Sequence, residues 1–302
     1  MKGSRQDKPA AACRRLLFVC CLGNAVATTV PPPLLPTPQL NRTLYVFVHI
    51  DKTGSSSMRN TLRSLQNHTA ANNPRTPHWL CDVGLALQST GAAVGINSCG
   101  PAAEVVIGAA YGSCERLRVA RPCRYFVVLR EPVARVVSAY NYFCLRCSES
   151  AKFCAKNSGT NCPRESFWNW TRYAPNEYTR HFSSTSIGFY MEKLNGFQGL
   201  PPISAEDYER AHSALTSPNM LTLRTETLDV RGWVMLAELW SDRPMGVALR
   251  HWLGNGTALP HNNVGGKSTF SPTAHQVLQT CKFDALAWDC RLYRELASRL
   301  VY

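Results

Sequence analysis

The apolar and polar positions pick out two places where a buried strand runs straight into a helix. Tyr45-Val46-Phe47-Val48-His49-Ile50 is a short apolar run rich in β-branched and aromatic side chains, which predicts a parallel strand covered on both faces. It leads into Asp51-Lys52-Thr53-Gly54-Ser55-Ser56-Ser57, after which Met58, Leu62 and Leu65 recur at helical spacing. Arg124-Tyr125-Phe126-Val127-Val128-Leu129 predicts a second buried strand. Arg130-Glu131-Pro132 follows it, then Val133, Val136, Val137 and Tyr140 in a helical pattern. Pro132 suits the first helical turn, where its missing N–H costs nothing.

Both junctions carry candidate chemistry. A strand, a small-residue loop and a helix together aim free backbone N–H groups and a helix dipole at a phosphate. Lys52 adds a point charge there, and Ser55, Ser56 and Ser57 add hydroxyl donors. The loop departs from the GxxxxGK[ST] pattern of nucleoside triphosphatases, because the lysine precedes a single glycine. Its alternative is an ordinary strand-to-helix turn with a serine N-cap. At the second junction Arg130 falls at the carboxyl end of a strand, where α/β sheets place ligands. Ser138, two turns into the helix, can share an anion with it. The alternative pairs Arg130 with Glu131 and leaves Ser138 as a tolerated helix residue.

With 302 residues, 45% hydrophobic and 18% charged, the chain has enough apolar material to offset the entropy of ordering. Wholesale disorder, a coiled coil and a disulfide-only miniprotein are excluded, and one large domain or two small ones are allowed. The net charge of +13 favours an anionic partner: nucleic acid, a nucleotide, an anionic membrane or a sulfated or phosphorylated substrate. Charge does not choose among these.

Thirteen cysteines point to an oxidising compartment. Cys144, Cys147, Cys154 and Cys162 cluster in a Ser-, Asn- and Gly-rich stretch that reads as a disulfide-stapled loop, with a zinc site as the alternative. The N-terminal segment is basic (Lys2, Arg5, Lys8, Arg14, Arg15) and then apolar over 16–30. That run is short against the roughly 20 residues of a spanning helix, and it suits a signal peptide or a short signal anchor. A stiff stem follows, carrying Pro31, Pro32, Pro33, Pro36 and Pro38. Asn41, Asn67, Asn169 and Asn255 each stand in a glycan-acceptor sequon. Together these features predict a lumenal protein of the secretory pathway.

The two junctions resemble motifs of the Golgi-type carbohydrate sulfotransferases, particularly the heparan sulfate 2-O- and 6-O-sulfotransferase group. The first motif reads His49-Ile50-Asp51-Lys52-Thr53-Gly54-Ser55-Ser56-Ser57 here. The second reads Leu129-Arg130-Glu131-Pro132-Val133-Ala134-Arg135-Val136-Val137-Ser138. Fainter echoes follow at Thr179-Arg180-His181-Phe182, Thr225-Glu226, Asn263-Val264-Gly265 and Asp289-Cys290-Arg291-Leu292-Tyr293, so the resemblance spans 44–300 in order. It implies 3′-phosphoadenosine-5′-phosphosulfate as co-substrate and no metal. In that scheme Lys52, Thr53, Gly54, Ser55, Ser56 and Ser57 hold the 5′-phosphosulfate, Lys52 acts catalytically at the bridging oxygen, and Arg130 and Ser138 recognise the 3′-phosphate.

In related sequences a Gly-His segment ahead of the second strand supplies the base; here Ala109 stands at that place, Asp51 replaces a proline and Ser55 a glycine. His49, Glu104 and His78 are the remaining candidates for the base. Arg180 and His181 are candidates for the acceptor side or for a solvated loop. Trp168, Trp170 and Tyr173 are candidates for sugar stacking or for a satellite core.

The expected architecture is α/β: a P-loop-like three-layer domain over 44–302, its central, mainly parallel sheet flanked by helices, behind a leader (1–30) and a stem (31–43). The expected activity is sulfuryl transfer to a hydroxyl of a glycan, an acidic one given the charge, in the Golgi lumen; nucleic acid is not the expected partner. A sulfotransferase-like protein that binds nucleotide or anionic glycan without transfer is the alternative. A nucleotide kinase is disfavoured by the loop order.

Overall fold

Side-chain parity along the central strands divides the molecule into layers. The computed structural model describes residues 43–72, 74–75, 78–83, 96, 99–145, 176–183, 202–228, 230–255, 281–282 and 284–297. All of them belong to the unit Thr37–Tyr302, the other unit being Met1–Pro36. Strand β1 (Leu44–Val48) is buried at every position. Its Leu44, Val46 and Val48 enter one apolar cluster, while Tyr45 and Phe47 enter another on the opposite face. Strand β4 (Cys123–Leu129) repeats the division, with Tyr125, Val127 and Leu129 on the first face and Phe126 and Val128 on the second. A strand buried on both faces needs apolar side chains of both parities, which is why these runs do not alternate with polar residues.

The sheet adds β2 (Leu80–Asp82), β3 (Val105–Ala109) and β5 (Met220–Arg224) in the order β2-β3-β1-β4-β5, with every pairing parallel. Helix α1 (Ser55–Asn72) covers the second face through Met58, Leu62 and Leu65. Beyond α2 (Ser113–Arg116), helix α3 (Pro132–Ala139) runs on into a π-helical segment, Tyr140–Leu145. The first face is covered by α4 (Glu177–Ser183), α5 (Ala205–Leu215) and α8 (Asp284–Ala297). The second face is completed by α6 (Val230–Leu239) and α7 (Pro244–Gly254). This is the expected three-layer α/β arrangement, P-loop-like in that a middle strand passes through a short loop into the first helix.

One bulge matters for the site. Gly108, at φ 89°, breaks the β1–β3 register so that Val48 pairs with Ala109 rather than with residue 108. Glycine adopts that φ without a Cβ clash, and the extra residue turns Ala109 into the first-face core, where it is 7% exposed.

Edge strand β2 is tied to α1 by side chains. Gln66 Oε1 accepts the backbone N–H groups of Trp79 (2.9 Å) and Leu80 (3.2 Å). Asp82 accepts Arg59 Nε at 2.8 Å and Arg63 Nε at 2.9 Å. Disulfides join Cys81 to Cys99, Cys114 to Cys123 and Cys281 to Cys290, as expected of a chain in an oxidising environment. Asn67 and Asn255 are exposed. The leader, the stem up to residue 42, Asn41, Asn169, Cys147, Cys154, Cys162, Trp168, Trp170, Tyr173 and 263–265 lie outside the described residues, as does the side chain of Cys144. No helix among the described residues is long and apolar enough to cross a membrane.

Burial pushes the Asp82 carboxyl up, but the hydrogen bonds and charges of Arg59 and Arg63 outweigh it and hold the group below its ordinary value. A lowered carboxylate pKa contributes stability that is present above the unfolded value, near 3.9, and is lost as pH falls through the folded one. Asp82→Asn is therefore expected to cost about 1–2 kcal/mol at pH 7. The gap from the wild type should close below about pH 4, as measured by denaturant unfolding across pH.

Candidate functional site

Because every strand runs the same way, all their carboxyl ends meet along one edge, and the two sequence motifs meet there as neighbours. Beyond β1, His49 and Ile50 enter the turn 51–54, in which Lys52 (φ 65°) and Gly54 (φ 85°) are both left-handed. A Cβ on Gly54 would find ordinary space, 3.6 Å from Thr225 Cγ2, so it is the backbone angle that asks for glycine. Thr53 is buried and its hydroxyl donates to Ile50 O at 3.0 Å. With that proton committed, the 2.8 Å contact to Ser55 Oγ has Ser55 as donor. The hydroxyls of Thr53 and Ser55 thus close the turn internally.

The helix ladder of α1 starts with Met58 N–H on Gly54 O at 3.1 Å. The amides of Ser55, Ser56 and Ser57 precede it and have no intrahelical acceptor, which leaves this helix end with the partial positive charge that suits an anion. Ser56 and Ser57 are half-buried. Lys52 Nζ lies over the Tyr142 ring, 3.7 Å from its centroid.

Arg130 leaves the end of β4 and its Nη1 donates to Lys52 O at 3.4 Å, joining the two motifs. Glu131 does not pair with it: that carboxylate caps α3, accepting Val133 N–H at 3.1 Å and Ala134 N–H at 2.7 Å. Ser138 is half-buried on α3, and no hydrogen bond joins it to Arg130. The Thr225 hydroxyl lies between Thr53 O and Leu129 O, the latter at 3.0 Å, and ties the loop to β4. Next to it, Glu226 accepts Glu131 N–H at 3.0 Å and the Tyr293 hydroxyl at 2.8 Å, while Arg224 Nε donates to Tyr293 at 2.9 Å.

The candidate bases separate. Glu104 and His78 precede β3 and β2, so they stand at the amino edge, the length of a strand away from the loops. Burial pushes the Glu104 carboxyl up, against the pull of Arg243. Only His49 stands at the carboxyl edge, its Nε2 3.3 Å from Asp51 Oδ1. Ala109 is at that edge too, but packed into the core. Arg180 and His181 are buried on α4 rather than solvated.

Sequence reasoning missed the residues that hold this edge together. Thr225, Glu226 and Tyr293 fell among the fainter echoes without a role, and Tyr178 stood next to one of them. The signal available was their order along the chain, since nothing in their spacing shows where they meet. Among the described residues, no group of three or more His, Cys, Asp or Glu side chains could hold a metal ion.

No family model and no curated protein matches the sequence. Among solved structures the chain is similar to a sulfotransferase from Alicyclobacillus acidocaldarius, at 14% identity and a TM-score of 0.38, covering 83% of this chain and 96% of that one.

Thr225→Val keeps the shape and removes the hydroxyl that lies between the loop carbonyl of Thr53 and the strand-end carbonyl of Leu129. It is expected to lower stability by about 1–3 kcal/mol, because the two carbonyls lose the one hydroxyl proton they share. Thr225→Ser should restore most of that, with both read by chemical denaturation.

Proposed function

We propose that this chain transfers a sulfuryl group from 3′-phosphoadenosine-5′-phosphosulfate to a hydroxyl of a glycan, in the lumen of the Golgi. The observation that carries the reading is the meeting of the α1 amino end with Lys52 and Arg130 on one edge of the sheet, joined by the Arg130–Lys52 hydrogen bond. The open amides of residues 55–57 suit the 5′-phosphosulfate, Lys52 the bridging oxygen, and Arg130 with Ser138 the 3′-phosphate. The acceptor oxygen attacks sulfur, and the bond from sulfur to the bridging oxygen breaks. Its electron pair leaves on the 5′-phosphate, where Lys52 and the helix end offset the new charge. The acceptor proton passes to the His49–Asp51 pair, the candidate base on this edge. The net charge of +13 suits an acidic glycan, and the disulfides suit the lumen.

A second reading, nucleotide or glycan binding without transfer, is favoured by one observation: the alanine at position 109, packed in the core where a base was expected.

The nucleotide site is tested by titrating the protein with 3′-phosphoadenosine-5′-phosphate and with adenosine 5′-phosphate. The wild type should prefer the former, and Lys52→Ala and Arg130→Ala should each weaken it by at least tenfold, about 1.4 kcal/mol. Equal affinity for the two nucleotides would rule the reading out.

Transfer is tested by release of the desulfonated nucleotide in the presence of sulfatable glycans. His49→Ala should lower the rate by roughly a hundredfold while leaving nucleotide affinity within about twofold. Tight nucleotide binding with no turnover by the wild type would select the second reading.

A further inference from the structure

Arg130 is the first residue past the β4 ladder, whose last pair with β5 joins Leu129 to Arg224. Beyond that register the sheet supplies no partner for the amide or carbonyl of residue 130, and a partly buried backbone needs one for each. A single phenol serves both. The Tyr178 hydroxyl donates to Arg130 O at 2.6 Å and accepts Arg130 N–H at 3.1 Å. A group bonded to the N–H and the C=O of the same residue restrains both of its backbone dihedrals, and with them the direction in which its side chain leaves.

Tyr178 itself has little freedom. Its side chain is fully buried, with the Arg135 guanidinium 5.5 Å from the centre of its ring. The helix that carries it is pinned from behind. Asp289 on α8 accepts Tyr178 N–H at 2.9 Å, Thr179 N–H at 2.8 Å and the Thr179 hydroxyl at 2.9 Å. In return Asn176 Oδ1 accepts Asp289 N–H at 3.1 Å. A rigid support runs from α8 through α4 to the residue that closes the distance to Lys52. The phenol oxygen contributes nothing to the α4–α8 contact, which uses backbone groups and Thr179. Its two bonds go to Arg130.

We infer that Tyr178 is a positioning residue for 3′-phosphate recognition, its hydroxyl aiming the Arg130 guanidinium through the Arg130 backbone. The inference rests on the assignment of Arg130 to the 3′-phosphate in the proposed function. A guanidinium recognises phosphate by directed N–H bonds, so a loosened backbone costs affinity where the 3′-phosphate is present and little where it is absent.

The test is the ratio of affinities for 3′-phosphoadenosine-5′-phosphate and adenosine 5′-phosphate, measured by calorimetry on the full chain. Tyr178→Phe should lower the ratio about tenfold, equivalent to about 1.4 kcal/mol, with adenosine 5′-phosphate affinity within about twofold of wild type. Leu236→Ala, in the core of the opposite face, should lower the melting temperature and leave the ratio alone. Thr179→Val keeps the phenol but frees one of the ties to Asp289, and should lower the ratio by about threefold, less than the loss of the hydroxyl itself. A wild-type ratio near one overturns the donor-site reading. A wild type that discriminates beside a Tyr178→Phe protein that discriminates equally well overturns this inference alone. Should Tyr178→Phe not fold, Thr179→Val decides, and an unchanged ratio there overturns it.

Discussion

At the carboxyl ends of the central strands the backbone runs out of ladder partners, and this edge is built around meeting that need. Two hydroxyls contribute to it: Thr225, between the Leu129 carbonyl and that of Thr53 in the loop, and Tyr178 for both groups of Arg130. An unpaired polar group out of reach of water costs about 1–3 kcal/mol, so these contacts are constraints rather than additions. They also fix the separation of the two loops on which the candidate chemistry depends. The helix α8 supports both sides, through Asp289 under α4 and through Tyr293 beside Glu226.

Behind that edge lies a buried ionic group. Arg135 and Glu177 form an ion pair with almost no exposure, and Asp289 is fully buried nearby. Burial pushes the Asp289 carboxyl up, while Arg135 and the donors of Thr179 and Tyr178 pull it back. Such a pair rarely adds net stability over an apolar substitute, yet removing one partner leaves a charge stranded and costs about 3–5 kcal/mol. Its effect here is geometric. Helix α4 has only two turns, too few to persist alone, and every residue from Glu177 to Ser183 is buried. Charge and the bonds to Asp289 hold it together with the core packing of Tyr178 and Phe182.

Much of the fold was legible along the chain. The runs at 45–50 and 124–129 overlap β1, which stops at Val48, and β4, because apolar side chains of both parities can be buried only in a doubly covered strand. The Met58, Leu62 and Leu65 spacing became the buried stripe of α1. Pro132 stands at the first position of α3 as expected. The site was legible in part. Lys52, residues 54–57 and Arg130 share one edge, but the hydroxyls of Thr53 and Ser55 face into the turn, and Ser138 makes no bond to Arg130. Glu104 looked like a base by residue type, and only the direction of β3 shows that it stands at the other edge of the sheet.

The sequence by itself determined the two strand–helix junctions, since periodicity is a local property: where a run is apolar in both parities, which stripe of the following helix is apolar, and where proline can begin a helix. The tertiary structure decided every pairing between distant segments. The Cys81–Cys99, Cys114–Cys123 and Cys281–Cys290 bridges, the Arg135–Glu177 pair and the Tyr178 clamp on Arg130 join residues whose spacing along the chain carries no signal. They depend on strand order and on the packing of α4 and α8 against the sheet. Those are set by the shape of the whole core, not by any window of sequence.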